Sequence, residues 1–172
     1  GPWMLYRNLV HLRTTNRKWH GYIGEIYGTL CYIYAFVVAH LRKTMNPKTT
    51  DFLFGCKNLY FLGIHPFDFS KSDSDEYKGI VELGKEIIQE IGLQSFVGFI
   101  VEYQYRVGIW SSLITLEFGK PDRNEILEIS GTETILSACL EKIEQNEIDA
   151  LLTDIIENKK SWIEKIKTCY NN

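Results

Sequence analysis

The sequence has no CxxC pair. Its four cysteines, Cys31, Cys56, Cys139 and Cys169, lie far apart, and no cysteine–histidine cluster has zinc-ligand spacing. A zinc ribbon is thereby excluded, and free, mostly buried thiols in a reducing cytoplasm are expected. Long apolar runs are missing too. The longest stretch without a formal charge, Ile26 to Leu41, has 16 residues, short of the ~20 that a spanning helix needs, so it reads as a buried helix. Neither sign of charge dominates: 19 basic against 22 acidic side chains give a net charge of -3. A broad footprint for duplex nucleic acid is excluded, and any anionic ligand must be small and held locally. The chain contains no G-x-G-x-x-G, Walker loop, H-E-x-x-H or G-x-S-x-G. The expectation is therefore a protein that is not an enzyme and carries no metal or cofactor. Arg13 and His20 have a spacing compatible with some helical ribonucleases, but nothing else in the sequence supports that chemistry.

What is present is a chain of 172 residues, 45% apolar, enough for one cored domain that buries about 70% of its unfolded surface. Gly1-Pro2 has the form of a protease remnant, so residues 1–19 are read as remnant, linker and start of the first helix, and residues 20–170 as the domain. A helix rich in aromatics is predicted from Trp19 to Lys43, closed by Asn46-Pro47. Gly24, Gly28, Cys31, Ala35 and Ala39 form a stripe of small residues along it, suited to close packing within one subunit or to crossing a twofold mate in a homodimer.

Lys57 to Pro66 is a nearly continuous apolar run of strand length, read as a central strand covered on both faces. Ser72 and Asp75 resemble a capping box before a helix whose Ile80, Leu83, Ile87, Ile88 and Ile91 share a face, ended by Gly92. Phe99, Val101, Tyr103, Tyr105 and Val107 alternate with Glu102, Gln104 and Arg106, as in a half-buried strand. Leu113–Phe118 and Glu125–Ser130 follow as further strands. A helix is expected from Thr132 to Gln145, and another restarts at Asn146 with Ile148, Leu151, Leu152, Ile155, Trp162 and Ile166 on its apolar face. The predicted fold class is α+β: a long N-terminal helix, a central twisted sheet of about four to five strands and flanking helices.

This order of elements resembles the cyclic-dinucleotide-binding domain of the STING family, in its bacterial form. Tyr27-Gly-Thr-Leu-Cys-Tyr-Ile-Tyr-Ala-Phe-Val37 is similar to the family's first helix, Leu59–Asp68 to its central strand, Arg106-Val107 to the start of its lid, and Ile126–Leu136 to a segment carrying an acid and ligand-contacting threonines. The resemblance adds a lid hairpin and a homodimeric cleft to the predicted fold, and implies a receptor for cyclic di-GMP or cyclic GMP-AMP in that cleft, with higher-order stacking on ligand binding. It further implies a cytoplasmic domain signalling to a TIR or transmembrane effector segment in innate or antiphage immunity. The implied ligand-binding residues are Cys31, Tyr32, Phe36, Arg106, Glu128, Thr132 and Thr134.

The chemistry is compatible on its own terms: two phosphates and two purine faces call for stacking rings, arginine and hydroxyl donors. Each residue also has a plainer role. Tyr32 and Phe36 serve equally as core aromatics, Arg106 and Glu128 as solvated charges, and Thr132 and Thr134 as helix caps. The rival function is a small cytosolic immunity or antitoxin protein that inhibits a toxin by surface complementarity.

Overall fold

A computed structural model describes residues 46–172 together with Gly28, Leu30, Ile33 and Tyr34. The last four positions are helical and exposed, and the rest of the predicted Trp19–Lys43 helix, including its small-residue stripe, lies outside the described residues. The chain divides at Met45–Asn46, and the unit Asn46–Asn172 is helical. It comprises α1 (Pro47–Phe61), α2 (Asp75–Ile91), α3 (Leu93–Val97), α4 (Val107–Ile114), α5 (Ile135–Glu144) and α6 (Thr153–Asn171).

The expected α+β fold is overturned. Among the described residues there is no strand, only an isolated antiparallel bridge between Ile126 and Thr134, so neither the twisted sheet nor the lid hairpin exists there. In place of the predicted Lys57–Pro66 strand, residues 57–61 are the end of α1 and residues 62–66 are turn and coil. Asn46 caps that helix by accepting from Lys48 N–H at 2.9 Å, and Pro47 occupies its first turn, where a missing N–H costs nothing. Asn46-Pro47 thus opens a helix. The helix runs to Phe61 and the chain turns off at Gly63, whose φ of 70° suits glycine's freedom in the left-handed region. There Gly63 N–H donates to Tyr60 O and Ile64 N–H to Leu59 O, the paired bonds of a Schellman turn.

The Leu113–Phe118 strand is likewise helical. All eight residues of α4 are buried, and a helix buried all round carries the same unbroken apolar run as a strand covered on both faces. It continues into a π-helical turn, Thr115–Gly119. Helix α4 packs against α1, α2, α3 and α5. Its approach to α2 requires Gly84, where an added Cβ would fall 2.9 Å from Ile114 Cγ2 and 3.1 Å from Phe96 Cζ.

The alternating segment Phe96–Val107 finds no partner strand. It folds as α3, a 3-10 turn at Gly98–Val101 and another at Gln104–Arg106, leaving Val101 and Tyr103 exposed while Ile100 is buried. Glu125–Ser130 is a loop, pinned by Leu127 N–H to Glu133 O and Ile135 N–H to Glu125 O.

The helix expected from Ile80 onward is present as α2, capped by Ser74 rather than Ser72 and ended at Gly92 with φ 104°. The last helix starts at Thr153, not Asn146, so Leu151 and Leu152 are exposed. Asp149 accepts from Leu151 N–H through Oδ1 at 2.9 Å and from Leu152 N–H through its carbonyl. Such Asx turns compete with helix formation. Ile155, Trp162, Ile163 and Ile166 are buried as the apolar face predicts. Cys56 and Cys139 are free and buried, and Cys169 is exposed. Among the described residues no helix is long and apolar enough to cross a membrane.

Candidate functional site

The C-terminal turn of α1 places Lys57, Tyr60 and Phe61 within one turn of each other, at spacings of three and four. Helix α1 buries Phe52, Cys56 and Leu59, which turns Tyr60 and Phe61 outward, at 44% and 70% exposure. A second element meets them. Tyr105 lies 5.5 Å from Tyr60 and 5.8 Å from Phe61, centroid to centroid, and Tyr60 lies 5.7 Å from Phe61. The three rings form one cluster in edge-on and tilted contacts, the geometry that aromatic quadrupoles favour.

Two cations sit on this cluster. The Arg106 guanidinium lies 4.9 Å over the Tyr60 ring and Lys57 Nζ 5.5 Å over Tyr105, both within cation–π range. Among the described residues neither forms an ion pair with a carboxylate. Burial lowers the Arg106 pKa while the neighbouring Tyr60 acts the other way. An arginine held by a ring face rather than by a carboxylate keeps its fork of N–H donors for an incoming oxyanion.

Holding it there strains the backbone. Tyr105 and Arg106 are consecutive left-handed residues, at φ 52° and 57°, a conformation costing non-glycine residues roughly 1–2 kcal/mol each. The loop is closed by Gly108 N–H donating to Glu102 O at 3.2 Å. Strain of this kind persists only where the surroundings over-determine it, and it clusters at functional sites.

Of the expected site residues, Arg106 belongs to this cluster, although not at a hairpin. Cys31, Tyr32 and Phe36 lie outside the described residues, as do Arg13 and His20. Glu128 is exposed, and its N–H donates to Gln94 Oε1 at 3.1 Å. Thr132 is exposed, and Thr134 caps α5 by accepting from Ser137 N–H at 3.1 Å. A shallow cavity of about 300 Å³ beside their loop is lined by Tyr103, Ile129, Glu133 and Lys142 among others, and by none of the expected residues.

Lys57, Tyr60, Phe61 and Tyr105 were not singled out by the sequence, because a strand reading sends alternate residues to opposite faces. The helical spacing Lys57-x-x-Tyr60-Phe61 was the available signal. Among the described residues no group of three or more His, Cys, Asp or Glu side chains is placed to hold a metal ion. No protein-family model, curated protein or solved structure matches the chain.

Proposed function

We propose that this protein is a receptor without catalysis of its own, and that its Tyr60–Arg106 surface binds a cyclic dinucleotide of the cyclic di-GMP or cyclic GMP-AMP class. One observation carries the reading: two cations, Lys57 and Arg106, rest on aromatic faces without carboxylate partners among the described residues, beside the exposed ring of Phe61. Phosphate is the natural partner of the guanidinium fork, and a purine that of an exposed ring. The resemblance to the STING domain loses the strands on which its element order rested, so the reading now stands on this chemistry. In it, a homodimer supplies the cluster twice to a ligand that has two phosphates and two bases.

The test is a calorimetric titration of the full chain with cyclic di-GMP and cyclic GMP-AMP. Expected is saturable binding near one ligand per two chains, weakened about tenfold or more by Phe61→Ala and by Arg106→Ala, the loss of one stacked base or one charge-assisted contact. No heat from the folded protein with either nucleotide overturns the proposal.

One observation favours a second reading, inhibition of a toxin by direct binding. Phe54 and Phe61, seven residues apart on one face of α1, are 65% and 70% exposed, and large exposed aromatics anchor protein interfaces. In that case the nucleotides give no heat, and Phe54→Asp abolishes neutralisation of the partner.

A further inference from the structure

A separate cavity of about 500 Å³ opens between the Phe69–Lys71 turn, α2, the π-helical turn and α6, a size within the range of about 300–1,000 Å³ that small-molecule sites occupy. Its walls are aromatic. Tyr77 and Trp162 are buried, while Phe69 and Phe118 are 39% and 42% exposed at its mouth.

The π-helical turn Thr115–Gly119 departs from helical register, and two residues adjacent in sequence, Glu117 and Phe118, both line the space. Single π turns of this kind occur often at functional sites. The Glu117 carboxylate is fixed in place: Trp162 Nε1–H donates to Oε2 at 2.9 Å and Lys165 Nζ to Oε1 at 3.1 Å. A carboxylate offers about four acceptor positions, so roughly two remain for a ligand.

Two carboxylates, Glu117 and Glu82, and two ammonium groups, Lys165 and Lys78, line the cavity, and the least exposed of the four is Glu117. Glu117 is 30% exposed, whereas Lys165 and Lys78 are each 59% exposed and Glu82 is 62% exposed, so water and salt screen the other three more strongly. The wall already accepts a cation, since Lys85 Nζ sits 4.3 Å over the Phe118 ring.

We propose that this cavity binds a small organic ammonium with an apolar body, its N–H groups on Glu117 and its body against Trp162 and Phe118. An anion is repelled by the Glu117 carboxylate, and a neutral alcohol of the same shape forfeits the charge-assisted hydrogen bond. The site is independent of the Tyr60–Arg106 surface, so each stands or falls alone.

The experiment titrates the full chain with 4-phenylbutylammonium, 4-phenylbutanol and 4-phenylbutyrate, following the Trp162 indole N–H resonance, assigned by its loss in Trp162→Phe. Expected is a saturable shift with the ammonium, at least about tenfold weaker binding of the alcohol and none of the butyrate. Glu117→Gln, which keeps an acceptor for Trp162, should bring ammonium and alcohol to equal affinity. Equal binding of all three probes by the unaltered chain, a preference for the butyrate, or an unmoved Trp162 resonance in the folded protein would overturn the proposal.

Discussion

His65 follows the Schellman turn of α1 and is 3% exposed. Its Nδ1 accepts from Phe67 N–H at 3.1 Å, so the neutral ring carries its proton on Nε2. Burial, reinforced by the charges of Arg106 and Lys159, pushes the imidazole down from 6.5 to about 4, with Asp68 opposing. A histidine depressed on folding takes up a proton in the unfolded chain first. Stability is therefore full above pH 6.5 and declines as pH falls towards 4, by about 2–3 kcal/mol from this residue. Urea unfolding at pH 7 and pH 4.5 should show that loss. His65→Asn, whose side-chain oxygen can still accept from the amide two residues on, should remove most of the difference between the two conditions. An unchanged slope in the variant would assign the acid sensitivity to other groups.

The loop between α3 and α4 depends on one close approach. A Cβ at Gly108 would stand 2.8 Å from Ile100 O and 2.9 Å from Glu102 O, backbone atoms that cannot swing aside. Gly108→Ala should cost about 1–3 kcal/mol in urea unfolding, as overpacking does, and should also weaken the proposed nucleotide binding by moving Tyr105 and Arg106. A neutral substitution would mean that the loop has room to adjust.

How far elements could be read from the sequence follows the same logic. Helix α2 was legible because Ile80 and Ile87 are buried on one side of an otherwise polar cylinder, a pattern only a helix produces. Helices α1 and α4 were not. Leu59–Ile64 and Leu113–Leu116 are apolar without period, and which structure they adopt is decided by what surrounds them and by distant caps such as Asn46. The alternation from Phe99 to Val107 had the strand period but no neighbouring strand to pair with, and an unpaired strand leaves its backbone groups unsatisfied. Arg106 enters the candidate site through the resemblance to the STING lid and Tyr60 does not, since their meeting depends on the left-handed backbone at Tyr105 and Arg106.

At the scale of the whole unit, the described residues assemble about α4, which presents no exposed side chain. Its Ser111 and Ser112 hydroxyls donate to Phe96 O and Gly108 O, so even its polar side chains are satisfied from within. No small fluctuation can bring water to its backbone, because α1, α2, α3 and α5 would have to leave first. In deuterium exchange, the amides of Trp110 to Ile114 should open only through global unfolding, with a protection free energy equal to that from urea, whereas Glu102–Arg106 and Leu151–Leu152 exchange by local opening. Faster exchange in α4 than in α6 would contradict this. If α4 behaves as expected, a protease meeting the native unit can nick its loops but not trim it inward stepwise: the fold is held or lost as one piece.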